Sequence, residues 1–95
     1  MDNKYLLDLA DAITTLKTKK EVVDFLEGIL TPQELIEVPT RLQIVKMLKK
    51  GIPQHEIAKK LGVGIATVTR GSKEIARGKF SQVSSAGWQP LASGG

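Results

Sequence analysis

Apolar residues recur every three or four positions along this chain as far as about residue 77, and strand-like alternation is nearly absent. That periodicity admits helices and little else, so an all-α fold is expected. Tyr5, Leu6, Leu9, Ile13 and Leu16 sit at helical spacing with Asp8 and Asp11 between them, a first helix that should bury one stripe. Thr18-Lys19-Lys20-Glu21 then matches a capping box, whose hydroxyl and carboxylate satisfy amides orphaned in a first turn. A second helix follows through Val22, Val23, Phe25 and Leu26 to about Gly28. Thr31-Pro32-Gln33-Glu34 opens a third, with a Thr cap, Pro at the first helical position and Glu two residues later. This helix carries Leu35, Ile36, Val38, Leu42, Ile44, Val45, Met47 and Leu48 and stops at Gly51. Lys49 and Lys50 suit the negative end of its dipole. Pro39 interrupts the pattern. A proline in a helix interior removes a hydrogen bond and costs about 3 kcal/mol, so a kink or short break is expected near Val38. Pro53 restarts the chain into a short helix ending at Gly62, and a longer one runs from about Ile65 to Arg77.

Ninety-five residues allow one domain, taken as residues 1–80. From Ser81 to Gly95 the composition shifts to Ser, Gly, Ala and Pro, which reads as a flexible tail with Trp88 as its one candidate anchor. A domain this short buries a modest fraction of its chain, and oligomerisation is a natural source of further stability. The chain has no cysteine, which excludes a disulfide framework, thiolate zinc sites and a cysteine nucleophile. Met1-Asp2-Asn3-Lys4 lacks the build of a secretory signal, and no apolar run approaches the ~20 residues of a membrane helix. A soluble, cytoplasmic protein with no membrane association is expected.

Charge is divided unevenly. Residues 1–40 hold eight acids and four bases, a net −4, whereas residues 41–95 hold ten bases and two acids, a net +8. The second half therefore presents an attractive field to a polyanion.

Within that half, Gln54 to Arg77 has the pattern of a helix-turn-helix. Two steeply crossing helices need a small residue where their backbones approach, and Ala58 supplies it. The tight turn four residues later needs a residue at ease with positive φ, and Gly62 supplies that. Ile57, Leu61, Val63 and Val68 are spaced to fill the wedge between the helices. Ile65, Ala66, Thr67, Thr69, Arg70 and Lys73 line the outer face of the second helix, with sizes that fit base edges and phosphates in a major groove. Gln54, His55, Lys59 and Lys60 on the first helix complete the candidate DNA-binding set. An ordinary helical hairpin with a glycine turn has the same spacing, and a basic face also suits an acidic protein partner.

From about Leu30 to Ile75 the chain resembles the tryptophan repressor family. The resemblance is carried by Leu30-Thr31-Pro32, Thr40-Arg41, Ile44-Val45, Leu48, Gly51 and Gln54, and above all by the run from Leu61 through Gly62-Val63-Gly64-Ile65-Ala66-Thr67-Val68-Thr69-Arg70-Gly71 to Ser72. It implies an intertwined homodimer whose two helix-turn-helix units enter successive major grooves of a double-stranded palindromic operator. It also implies L-tryptophan as corepressor, its indole held between Arg41 and Arg70. Thr31 matches a pocket threonine, Gly71 the glycine beside the indole, and Gly28 and Leu30 the partner-subunit positions whose carbonyls receive the ligand's ammonium. A guanidinium stacks on an aromatic face and forks onto a carboxylate, so two arginines and a ring of backbone acceptors suit an aromatic zwitterion.

The chain departs from the family in several places. Glu74 stands where the pocket has a serine, free to meet the ammonium or to pair with Arg77 or Arg70. Lys73 replaces an asparagine, His55 a base-contacting arginine and Ala58 a phosphate-contacting lysine, and the family's last helix has no clear counterpart after Lys79. No catalytic residues, metal ligands or cofactor are expected. His55 is the only histidine, and no nucleophile, base and orienting group can be assembled. The readings left open are a tryptophan-responsive repressor, a DNA-binding regulator of the same fold with a different or no ligand, and a helical protein-interaction module.

Overall fold

The computed structural model describes residues 3–85. Five helices follow in order: α1 (Lys4–Thr14), α2 (Lys19–Ile29), α3 (Glu34–Lys49), α4 (Gln54–Leu61) and α5 (Ile65–Ala76). Among the described residues there is no strand. No helix is long and apolar enough to cross a membrane.

The local start signals act as their chemistry requires. The Thr18 hydroxyl accepts the Glu21 amide at 3.1 Å, while the Glu21 carboxylate accepts the Lys17 amide at 2.7 Å. At α3 the exchange is fully reciprocal. Glu34 N–H donates to Thr31 Oγ1 at 3.1 Å, and Thr31 N–H donates to Glu34 Oε1 at 2.9 Å. Pro39 does not interrupt α3, which is continuous over all 16 residues. Of the kink or short break expected there, the break is absent. Pro39 removes only the bond its own amide would make to Leu35, and Ile44, Val45 and Met47 anchor the same helix in the core.

The described residues fall into two compact units divided between Ile36 and Glu37. In the first, α1 and α2 bury no residue. The stripe expected to be covered on α1 lies open in the single chain: Tyr5 is 87% exposed, and Leu6 and Ile13 are also exposed. Among the described residues nothing buries that face.

The second unit holds the core. Ile44, Met47, Ile57 and Val68, each no more than 1% exposed, form one cluster, with Leu48, Ile52, Ala58, Leu61 and Val63 packed against it. Three helices thus contribute to four buried side chains. Gly51 (φ +86°) and Gly62 (φ +66°) end α3 and α4 in the left-handed region, where a Cβ would be strained. Val63 N–H reaches back to Ala58 O at 3.0 Å, the six-to-one bond that lets the chain reverse into α5. The Lys49 ammonium donates to the carbonyls of both Phe80 and Val83. Trp88 lies outside the described residues.

In urea denaturation, Ile57→Ala should lose about 2–5 kcal/mol of stability, the cost of a cavity in a small core. Gly62→Ala should lose roughly 1 kcal/mol through left-handed strain alone. A larger loss at Gly62 than at Ile57 would contradict this view of the core.

Candidate nucleic-acid interface

An eight-residue helix such as α4 is too short to persist in water by itself. Packing fixes it. Ile57 of α4 and Val68 of α5 are both 0% exposed and hold the two helices against Ile44 and Met47 of α3. The expected wedge of Ile57, Leu61, Val63 and Val68 is present as drawn, with Leu61 and Val63 half-buried.

With one face of each helix so committed, the other is left to solvent. On α5 the exposed positions are Ile65, Ala66, Thr67, Arg70, Lys73 and Ala76, and on α4 they are His55, Glu56, Lys59 and Lys60. Among the described residues, Lys59, Lys60, Arg70 and Lys73 enter no ion pair. Gln54 and Thr69 are half-buried and joined, the Thr69 hydroxyl donating to Gln54 Oε1 at 2.8 Å. That bond ties the start of α4 to the middle of α5 and leaves the Gln54 amide donors free to face outward chemistry. All ten residues expected to meet nucleic acid thus lie on α4 and α5, eight of them exposed.

The residues expected to hold a ligand are divided between the two units. Arg41, Arg70, Gly71 and Glu74 belong to the second, and Gly28, Leu30 and Thr31 to the first. Arg41 and Arg70 are exposed and, among the described residues, without an ion-pair partner. Three of the others have structural work of their own. Thr31 caps α3. Gly71 lets α5 lie close to α3: a Cβ there would lie 3.2 Å from Ile44 Cγ2 and 3.5 Å from Leu48 Cδ1. Glu74 Oε1 accepts from Arg77 Nη1 at 2.7 Å, so of the two arginines open to it the pair is with Arg77.

The end of α2 leaves two carbonyls without a ladder donor. The ladder donor for the Gly28 carbonyl would be Pro32, which has no N–H. The donor for the Leu30 carbonyl would be Glu34, whose amide goes instead to Thr31 Oγ1. Both carbonyls are thereby left to a donor from elsewhere. Among the described residues no cluster of His, Asp or Glu is arranged to hold a metal ion.

The family described as Trp repressor protein matches residues 4–83. The chain belongs to the Trp repressor family. A Trp operon repressor homolog of Actinobacillus succinogenes is 48% identical over 63 residues, 65% of this chain and 61% of that protein. One from Vibrio vulnificus is 38% identical over 68 residues, 70% of this chain and 67% of that protein. A third, from Mannheimia succiniciproducens, is 50% identical over 53 residues, 55% of this chain and 52% of that protein. The chain thus spans from about half to two thirds of the length of these relatives. No solved structure matches it. The Trp repressor family is regulatory and not enzymatic. Residues 77–82 form turns, and the described residues hold no helix after Ala76.

Two roles were missed in the sequence. The close approach at Gly71 leaves a signal, since a helix-interior glycine gives up about 1 kcal/mol relative to alanine and calls for a packing reason. The Lys49 contacts leave none, because their partners lie 31 and 34 residues away.

Thr31→Ala should cost about 1 kcal/mol of folding stability through loss of the α3 cap. Glu74→Ala should stay within about 0.5 kcal/mol, because its partner is largely solvated. Chemical denaturation of the two variants side by side checks the contrast, and equal losses would contradict it.

Proposed function

We propose that this member of the Trp repressor family is a sequence-specific, DNA-binding transcriptional repressor that works as a homodimer with L-tryptophan as corepressor. The observation that carries the reading is the outward face of the α4–α5 unit. Lys59, Lys60, Arg70 and Lys73 stand there without carboxylate partners, around the short side chains of Ala66 and Thr67. A major groove admits one helix, and short residues let its backbone approach the base edges while the cations displace counterions from phosphates. The His55 imidazole and the Gln54 amide extend the polar surface toward the start of α4. Double-stranded operator DNA in the cytoplasm is the partner this chemistry fits.

Dimerisation is supported by α1 and α2, whose apolar side chains one chain does not cover. A two-fold pair would present two reading units to a palindromic site. For the ligand, Arg41 and Arg70 would stack on the indole and fork onto the carboxylate. The Gly28 and Leu30 carbonyls of the second subunit would accept the ammonium, and Thr31, Gly71 and Glu74 would border the pocket. A regulator of the same fold with a different or no ligand is the second reading. It is favoured by the Glu74–Arg77 pair, which an ammonium at Glu74 would have to share.

DNA affinity should fall about 10³–10⁵-fold between 50 and 200 mM salt if the dimer makes ~6–10 phosphate contacts. A flat salt response would point to an acidic protein partner instead. In calorimetry, Arg41→Ala should lower L-tryptophan affinity about 5- to 150-fold and leave weak, salt-sensitive DNA binding intact. No heat from the wild-type protein with millimolar L-tryptophan, and equal DNA binding without it, would move the account to the second reading.

A further inference from the structure

At Gly71 of α5 the Cβ position faces Ile44 Cγ2 of α3 at 3.2 Å and Leu48 Cδ1 at 3.5 Å. Gly71 is a pivot near the middle of α5, and Val68, about one turn earlier, shares the core with Ile44 and Met47 of α3 and helps to set the helix direction. Gly71 is the seventh of the twelve residues of α5, so the N-terminal end of that helix lies about 9 Å from the pivot at 1.5 Å per residue. A swing of roughly 10° would displace that end by about 1.6 Å, more than a hydrogen bond to a base edge tolerates.

A second fastening lies beyond the C-terminal end of α5. Lys79 N–H donates to Glu74 O at 3.0 Å and ends the helix, and Val83 N–H donates to Phe80 O at 3.0 Å, closing a turn. The turn delivers the Phe80 and Val83 carbonyls to one point. The Lys49 ammonium, on the last residue of α3, donates to Phe80 O and, at 2.6 Å, to Val83 O. Phe80 holds φ +63°, a left-handed conformation that costs a residue with a Cβ on the order of 1 kcal/mol and persists only where its surroundings enforce it. Lys49 is half-buried and, among the described residues, enters no ion pair. Its charge is committed to the chain's own carbonyls.

We propose that Lys49 is a positioning residue for DNA recognition: it ties the 77–83 segment to the end of α3 and so helps to fix the direction in which α5 is presented. The proposal rests on the DNA-binding reading above. Lys49 acts through α5 and touches no phosphate, and this separates it from Lys59, Lys60 and Lys73.

The test is affinity against salt on a duplex selected by the wild-type protein from random sequence. Lys49→Met should weaken binding about 3- to 30-fold, with the slope of log affinity against log salt unchanged. Lys49→Arg, which keeps a cation able to reach both carbonyls, should stay near wild type. Val83→Pro removes the amide that closes the turn and leaves Lys49 in place. It should reproduce the loss at unchanged slope, and it carries the test should Lys49→Met not fold. Lys59→Met is the contrast, lowering the slope by about 0.9 for each phosphate contact given up. Unchanged affinity in both Lys49→Met and Val83→Pro, or a slope lowered by Lys49→Met as by Lys59→Met, would overturn the proposal. If the wild-type protein binds no duplex, the DNA-binding reading fails by itself. Amide hydrogen exchange then decides the clamp: protection of residues 77–83 should fall in Lys49→Met and hold in Lys49→Arg, and equal protection in all three proteins would overturn it.

Discussion

Ile57 and Val68 come from two helices that would each melt alone, and both are fully withdrawn from water against Ile44 and Met47 of a third. Helices of eight and twelve residues fall at or below the length that is marginal in water even for good helix formers, so their persistence comes from this packing. Each fully buried aliphatic side chain contributes about 1.5–3 kcal/mol by its removal from water. Most of that is offset by the entropy of ordering the chain. The margin is narrow, and it explains why the outer face carries only residues that ask nothing of the core. Once one stripe of α4 and α5 is committed to burial, the opposite stripe is free to be basic and short.

The same economy explains what α1 and α2 leave undone. Their sequences have helix-forming spacing and a capping box, yet neither buries a residue within one chain. The acids sit with them: the first forty residues carry −4 and the remainder +8. A polyanion is repelled by the first charge and attracted by the second, so in the DNA-binding function we propose the charge division would favour encounter through the second region. A second copy of the chain is the cover we propose for the apolar faces, and it would also bring the Gly28 and Leu30 carbonyls to a neighbour's Arg41 and Arg70.

Legibility in the sequence followed the range of the interaction. Thr18 with Glu21, Thr31 with Glu34, and the wedge of Ile57, Leu61, Val63 and Val68 are set by neighbours within a few residues, and all could be drawn beforehand. Gly62 belongs with them, because a left-handed turn after a short helix admits few other residues. Pro39 marks a kink or a short break by local chemistry alone, and the choice against a break depends on Ile44, Val45 and Met47, which bury the second half of α3 and outweigh one lost hydrogen bond. The stripe on α1 was placed on the right residues, although its burial needs more than one chain. Glu74 could be narrowed to a few partners and no further, since its choice of Arg77 depends on side-chain directions along α5. Lys49 was read as a helix-end charge because its acceptors lie more than thirty residues away, on a turn with no pattern of its own.

The central claim is that the chain builds its reading unit alone and its body with a second copy of itself. Sedimentation equilibrium over a micromolar concentration series, with helicity followed by circular dichroism at each concentration, tests this directly. The account predicts a dimer throughout the micromolar range, with helix content falling as dilution forces the dimer apart and exposes α1 and α2. A monomer at micromolar concentration that retains its full helicity would contradict it.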